Sequence, residues 1–295
     1  MSTAPESHAP VTYGYEIGGF QISLDSFPFY ESEFLAAFRK ECRRGSDLHM
    51  TVREVPELSV PEGIEAGDFG ETAYRDEFGR LVRICKTERK DAILYRITEL
   101  EQGRLLAEVI PSAASRLGSY LVLRWLDLPG FFLKRDAFFL HASFIRRNGK
   151  AILFTGRKQI GKSTQAELWR RCRGAEIVNG DRAVLRRMDG VWTACGSPFC
   201  GTSGICVNET VPIAVIVLLA QGPVNRIEAA DLKSAYGAFL SGCTYDPNSR
   251  EATEWVCRLA EELHRELPML RLSCTPDEEA VFCLEKALRG ESDNG

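Results

Sequence analysis

The sequence predicts an α/β fold of the α+β kind, with a smaller β-rich module followed by a larger domain of strands and helices. Period-two alternation of apolar residues is concentrated before about residue 90. After residue 150, a glycine-rich segment stands between a short apolar run and a segment of helical pattern. We therefore expect a disordered tail at 1–11, a β-rich N-terminal module with helices at 12–129, and the second domain at 130–295.

Composition is that of an ordinary globular protein, with 44% hydrophobic and 26% charged residues in a chain of 295. The formal net charge of −4 supplies no bulk attraction to nucleic acid or to an anionic membrane. The first ten residues contain neither a basic segment nor an apolar one, and no apolar run is long enough to span a bilayer. We expect a cytoplasmic protein that binds neither nucleic acid nor membrane.

The ten cysteines are expected to be reduced thiols, because no secretion signal accompanies them. Cys195, Cys200 and Cys206 are close enough together to raise a metal site as an alternative. Their spacing lacks the C-x-x-C pattern of zinc sites, and no histidine follows nearby. The pattern favours small buried residues over metal ligands.

In the N-terminal module, residues 15–17 and 20–24 flank Gly18 and Gly19, which indicates a hairpin. A short helix is expected at 31–43. Leucine and tryptophan at helical spacing predict an amphipathic helix at 112–128, ended by Pro129 and Gly130. The remaining strands of the module are predicted at 50–55, 73–75, 81–85 and 91–97.

In the second domain, Asn148 and Gly149 are a strong signal for a two-residue hairpin turn between two apolar runs. Strands are predicted at 138–145, 151–155, 176–178, 183–187, 191–195, 212–220 and 270–274. Helices are predicted at 162–171, 229–240, 251–266 and 276–289.

Residues 156–164 fit the P-loop pattern G-x-x-x-x-G-K-[ST], with a strand before it and a helix after it, as the motif requires. Its glycines let backbone N–H groups surround phosphate oxygens, and the start of the helix attracts anions. Lys162 is placed to reach the β- and γ-phosphates, and the Ser163 hydroxyl to bind Mg²⁺. The predicted nucleotide-binding residues are Gly156, Ile160, Gly161, Lys162, Ser163 and Thr164.

Asp181 and His141 are the candidate catalytic residues beside Lys162. Asp181 follows a short strand that comes after the P-loop helix, and a strand next to the P-loop strand would bring its C-terminal end to the phosphates. We expect it to bind Mg²⁺ together with Ser163, or to act as a base; the alternative is an ordinary turn aspartate. His141 lies on the strand that the Asn148–Gly149 hairpin folds against the P-loop strand, and its alternative is a hydrogen-bonded core histidine.

The segments LHASF, GKAILFTG-RKQI-GKST and IVNGDR together resemble the bacterial HPr serine kinase/phosphorylase family over about residues 130–240. The resemblance is to the small HPr-kinase-like peptide kinases in particular, which share their nucleotide fold with phosphoenolpyruvate carboxykinase. It implies an enzyme that uses ATP and Mg²⁺ to phosphorylate a hydroxyl, expected to be serine, of a small protein or peptide. It also implies an active-site role for His141, and relatives that form homo-oligomers.

The sequence departs from the family where an Asp-Asp pair is usual, since Gly180 precedes Asp181. The signature for recognition of HPr is not found after Ala220, whereas residues 196–201 resemble the G-x-P-x-x-G turn of the smaller kinases. This favours a kinase for another substrate and leaves phosphorylase activity in doubt. The identity of the acceptor, the choice of ATP over GTP and the oligomeric state stay open.

The sequence bears on three other functions. A non-catalytic ATP-binding module that recognises peptides is the main alternative, and the glycine at position 180 favours it. A metabolic enzyme of the carboxykinase type would need more metal-binding groups than four histidines allow. A dinucleotide-binding dehydrogenase is excluded because the loop lacks G-x-G-x-x-G.

Overall fold

The computed structural model describes residues 10–41, 45–59, 64–68, 72–86 and 92–290. Contacts divide the chain into two compact units. One comprises Met1–Glu16 and Phe20–Leu128, and the other comprises Ile17–Gly19 and Pro129–Gly295. Residues 1–9 of the predicted tail lie outside the described residues, and Val11 already begins a strand.

The first unit is built on one eight-stranded sheet. Its strands are β1 Val11–Ile17, β2 Phe20–Ser26, β3 Leu48–Glu54, β4 Ile64–Asp68, β5 Thr72–Arg75, β6 Leu81–Lys86, β7 Ile93–Glu101 and β8 Arg104–Val109. They lie in the order β1-β2-β3-β8-β7-β6-β5-β4. Strand β3 is parallel to both β2 and β8, so this sheet is mixed. The strands predicted from sequence are present, and β4 and β8 were not predicted.

Both helices predicted in this unit are wrong in extent. Of the helix predicted at 31–43, residues 42–43 lie outside the described residues. Only Glu33–Ala36 (α1) is helical in the rest, because Arg39 already pairs with Tyr15 as a β-bridge. The single helix predicted at 112–128 is two short ones, α2 Pro111–Ala114 and α3 Ser119–Trp125. Gly118 separates them, since its backbone is extended and bridges to Tyr30.

The predicted stop at Pro129 is also wrong, because a further helix, α4 Leu128–Leu133, contains it. Proline lacks a backbone N–H, but the first turn of a helix does not use that group. Pro129 therefore occupies the second position of α4 without losing a hydrogen bond.

The second unit contains the other eight strands. They are β9 Ala137–Arg147, β10 Lys150–Thr155, β11 Glu176–Asn179, β12 Arg182–Met188, β13 Val191–Cys195, β14 Thr210–Gln221, β15 Arg226–Ala229 and β16 Met269–Cys274. Its helices are α5 Lys162–Arg173, α6 Leu232–Gly242, α7 Arg250–Glu266 and α8 Glu278–Arg289. The predicted helix at 229–240 begins late, because 226–229 pair with β16 and Asp231 caps α6 by accepting from Ser234 N at 2.7 Å.

Strand direction in this unit defines one edge at which several chain segments leave the sheet. Strand β10 is antiparallel to β9 and parallel to β14, which is parallel to β16. Strand β11 is antiparallel to β9, so it runs in the same direction as β10. The carboxyl ends of β10, β11, β14 and β16 therefore share one edge, where ligands bind in open α/β sheets.

The predicted neighbour of β10 is corrected by this topology. We expected β11 to lie beside β10, but β9 lies between them, with Ala142 opposite Thr155 and Phe144 opposite Asn179. The Asn148–Gly149 turn folds β10 back onto β9 first. The C-terminal half of β9 therefore pairs with β10 on one side and with β11 on the other, and its N-terminal half pairs with β12. His141 thus lies between the segment that follows β10 and the segment that follows β11.

Apolar residues of β10 alternate between two cores, which fixes the sheet between two pairs of helices. Ile152 and Phe154 pack with Trp169 of α5 and Leu284 of α8. Leu153 packs on the other face with residues of α6 and α7, including Phe239, Val256 and Leu259. No helix within the described residues is long and apolar enough to cross a membrane.

Candidate functional site

The glycine loop, residues 156–161, joins the end of β10 to the start of α5. Gly156, Gln159 and Gly161 have φ angles of 142°, 63° and 113°. A Cβ at Gly156 would lie 3.3 Å from Leu219 O of β14, so the loop packs closely on the sheet there. A Cβ at Gly161 would have no atom within 4 Å, so the loop is open where the helix begins.

Lys162 is turned into this loop. Its side chain is buried, and Nζ donates to Gly156 O at 3.1 Å and to Arg157 O at 3.2 Å. Burial lowers the pKa of Lys162, and the negative charge of Asp181 opposes that shift. The cation is therefore held among backbone carbonyls at the start of α5. Ser163 and Thr164, the next two residues, are exposed there.

A tight turn, residues 179–182, connects β11 to β12 and is called the site turn below. Asn179 is fully buried, and its Oδ1 accepts from Asp181 N at 2.9 Å and from Arg182 N at 2.8 Å. Its Nδ2 donates to Ser197 O at 2.8 Å. Asparagine commonly shapes turns by bonding the backbone two residues on, and here it fixes the backbone that carries Asp181.

His141 and Asp181 are in direct contact. His141 Nδ1 lies 3.1 Å from Asp181 O and 3.3 Å from Asp181 Oδ1. A carbonyl and a carboxylate only accept hydrogen bonds, so Nδ1 must carry the proton. In the neutral ring, Nε2 is then left as an acceptor. The geometry defines both the tautomer of His141 and the orientation of its ring.

Electrostatics keep Asp181 ionised. The hydrogen bond from His141 is the main cause that lowers the pKa of Asp181, and the charges of Arg182 and Lys162 act in the same direction against burial. Arg182 Nε lies 3.5 Å from Asp181 Oδ2. The site therefore combines one carboxylate, one oriented imidazole and the Lys162 ammonium at one edge of the sheet.

Packing explains why position 180 holds no acid. A Cβ at Gly180 would lie 2.0 Å from Ser203 Oγ and 2.5 Å from Ser203 Cβ. A Cβ at Gly201 would lie 2.8 Å from Asp181 Cγ. The short 3₁₀ turn Gly201–Ser203 is thus seated against both Gly180 and Asp181. It occupies the space that a side chain at position 180 would need.

The remaining predicted residues are distributed around this centre. Ile160 is buried, and its N–H bonds to Arg157 O at 3.3 Å within the loop. No hydrogen bond joins Ser163 to Asp181 in the described part of the chain. No three His, Cys, Asp or Glu side chains among the described residues are grouped to hold a metal ion; Cys195 and Cys200 are buried core thiols.

Sequence reasoning missed three polar residues of the site. Asn179 is not among the predicted site residues, although an asparagine two residues before a candidate aspartate is a usable signal for a turn. Ser143 Oγ donates to Gly180 O at 3.2 Å, and Ser197 Oγ donates to Arg182 O at 2.6 Å. Nothing in the sequence points to these two serines, because they reach the site turn only through the pairing of distant strands.

Comparison with known proteins finds similarity only among solved structures. No protein-family model matches the chain, and no curated protein matches its sequence. Among solved structures, the HPr(Ser) kinase/phosphatase from Coxiella burnetii matches with a TM-score of 0.29 and 15% sequence identity. The match covers 52% of this chain and 93% of that chain. The activity must therefore be judged from the chemistry of the site itself.

Proposed function

We propose that this protein is an ATP-dependent kinase of the HPr-kinase-like kind, which transfers the γ-phosphoryl group to a hydroxyl of a small protein or peptide. The observation that carries the proposal is the contact between His141 and Asp181 at the sheet edge from which the glycine loop also leaves. The serine class of the acceptor rests on the resemblance of the sequence alone.

The residues present fit a nucleotide with Mg²⁺. The loop offers two glycines with positive φ and an open helix start, and Lys162 already rests on two loop carbonyls that phosphate oxygens could replace. Ser163 and Asp181 would hold the metal, while Ile160 and Thr164 would line the phosphate site. Bound Mg²⁺ would neutralise charge that develops on the phosphate oxygens.

The chain's own residues supply the remaining steps. The Asp181 carboxylate accepts the proton of the acceptor hydroxyl. As it does so, the hydroxyl oxygen bonds to the γ-phosphorus, and the bond between the γ-phosphorus and the β,γ-bridging oxygen breaks. His141 orients that carboxylate through Nδ1–H and leaves Nε2 as an acceptor for a polar group of the incoming substrate. Lys162 balances the negative charge that builds up on the departing diphosphate.

The test uses the purified full chain, γ-labelled ATP, Mg²⁺ and short peptides encoded beside its gene. We expect label on a peptide hydroxyl, and a loss of about 10³-fold or more in turnover for Lys162→Ala and for Asp181→Asn. The matched control is Lys150→Ala, which removes an exposed lysine at the start of β10, at the end of that strand away from the glycine loop, and should leave turnover unchanged. Turnover above about a tenth of wild type in Lys162→Ala would refute this mechanism.

The alternative is a non-catalytic ATP-binding module that recognises peptides, and one observation favours it. Only one acid is present, because Ser203 fills the space beside Gly180. If the wild-type chain binds ATP and the Lys162→Ala variant does not, while no label reaches any peptide, the module is the better description.

A further inference from the structure

We propose that Asn179 and Ser197 are positioning residues that hold the site turn so that Asp181 meets the acceptor hydroxyl. The inference rests on the proposed kinase function. Neither residue touches the proposed substrates; both would act through the backbone that carries Asp181. The proposal is independent of which peptide is the acceptor and of how Mg²⁺ is bound.

The first argument is that every backbone polar group of residues 180–182 is bonded. The N–H groups of Asp181 and Arg182 both donate to Asn179 Oδ1, while that of Gly180 donates to Ile205 O at 3.2 Å. The Gly180 carbonyl accepts from Ser143 Oγ. The Asp181 carbonyl accepts from Ala142 N and from His141 Nδ1, and the Arg182 carbonyl accepts from Ser197 Oγ. The turn has no free backbone group with which to adopt a second hydrogen-bonding pattern.

The second argument is that the two side chains act as one unit. Asn179 and Ser197 are both fully buried, and Asn179 Nδ2 donates to Ser197 O, while Ser197 Oγ donates back to Arg182 O. A buried polar network in which every member is satisfied is rigid and specifies one geometry. Asn179 thus fixes the N–H side of the site turn, and Ser197 fixes its last carbonyl.

The third argument concerns the Asp181 side chain. Its carboxylate meets His141 on one side, Arg182 on another and the close-packed Gly201 on a third. A shift of the backbone would change all three contacts together. Because proton transfer to a base depends on hydrogen-bond geometry, a displacement of about 1 Å can cost on the order of 10²-fold in rate.

Three variants separate the hydrogen bonds. Asn179→Ala removes both acceptor bonds and the donor bond. Asn179→Asp keeps an acceptor for the two N–H groups but cannot donate to Ser197 O. Ser197→Ala removes the bond to Arg182 O and the two longer bonds that Ser197 Oγ accepts, from Phe199 N at 3.4 Å and from Asn179 Nδ2 at 3.5 Å. The control is Thr193→Val, which removes a buried hydroxyl bonded to Arg186 O at 3.2 Å on the neighbouring strand, away from the site turn.

Steady-state kinetics with γ-labelled ATP and the peptide acceptor should show a split between kcat and the KM for ATP. We expect kcat to fall about 10²-fold in Asn179→Ala and less in Asn179→Asp and Ser197→Ala, with the KM for ATP within about threefold of wild type in all. Thr193→Val should lower the melting temperature and keep kcat. A purely structural role for Asn179 would lower stability without this split.

Different failures point to different errors. If folded Asn179→Ala keeps the wild-type kcat, or loses affinity for ATP in step with kcat, the positioning role is wrong and the kinase proposal stands. If Asn179→Ala does not fold, Asn179→Asp and Ser197→Ala decide by the same criterion. If the wild-type chain labels no hydroxyl at all, the proposed function fails, and this inference fails with it.

Discussion

Two turns in the second unit contain the same dipeptide, Asn-Gly, and have opposite environments. At the hairpin turn, Asn148 and Gly149 have φ angles of 50° and 70°, and a Cβ at Gly149 would meet nothing within 4 Å. At the site turn, Asn179 is fully buried and Gly180 is packed under Ser203. The first turn needs only a permitted backbone conformation. The second has its shape fixed by buried side chains, which is the expected property of a turn that presents a catalytic group.

Placing an acid at the site turn should produce the largest effect on stability. Gly180→Asp forces a side chain into Ser203, and overpacking of this kind costs about 2 kcal/mol or more in the free energy of unfolding. Gly149→Asp is the matched control, because aspartate tolerates positive φ and the space there is open. Urea denaturation of both variants would measure the difference, and equal losses would contradict the contrast between the turns.

A second substitution identifies the obstacle. If Ser203 is the group that excludes an acid, Ser203→Gly should recover at least half of the stability that Gly180→Asp loses. A double-mutant cycle by urea denaturation would give the coupling directly. Additive losses would show that the Gly201–Ser203 turn, or another part of the site, resists the acid instead.

At the hairpin turn the expected effect is smaller and has a different cause. Gly149→Ala introduces no clash, but a residue with a Cβ is strained at a φ of 70°, at a cost of about 1 kcal/mol. Turnover of the folded variant should equal that of wild type. A fall in kcat without loss of stability would mean that the hairpin turn transmits its geometry to His141 and that the two turns do not differ in this respect.

The contrast also shows what the sequence could reveal. Strong local signals were sufficient for the glycine loop, for α5 with its Gly174 C-cap, and for the Asn148–Gly149 hairpin, because each depends on residues close together in the chain. The proximity of His141 to the segment after β10 followed from that hairpin. A chain-local argument therefore predicted that His141 lies beside the end of β10, whereas the argument for Asp181, a strand directly beside β10, was wrong.

Predictions failed where a distant partner overrode local preference. The helix predicted at 112–128 is interrupted because Gly118 pairs with Tyr30, about ninety residues earlier in the chain. Strand β11 does not adjoin β10, because the hairpin places β9 there first. The roles of Ser143 and Ser197 depend on strand register, which single-sequence patterns do not determine. Asn179 was visible, but its burial was not.

Glu285 of α8 is intermediate between the open hairpin turn and the buried site turn. Its carboxylate is mostly buried and is paired with three arginines. It bonds Arg173 at 2.8 Å, Arg147 at 2.9 Å and Arg289 at 3.2 Å. Burial raises the pKa of Glu285, but the hydrogen bond from Arg173 and the charges of the three arginines outweigh it and leave the pKa below its usual value. The ion pairs therefore favour the folded state while the carboxyl group is ionised.

Glu285→Gln should lower the free energy of unfolding by about 0.5 kcal/mol at pH 7, the smallest of the expected effects. Because the pKa is lower in the folded state than in the unfolded chain, this stabilisation is complete above about pH 4.3 and is lost as the pH falls through the folded value. Urea denaturation at about pH 7 and about pH 3 should show the difference in free energy of unfolding between wild type and variant narrowing in acid.

Glu278→Gln is the control, since that carboxylate is 56% exposed and 3.8 Å from Arg173 and its replacement should change stability less. A gap that is constant with pH would mean that Glu285 stabilises α8 through packing, as a neutral residue would, and that the arginines contribute no net charge interaction.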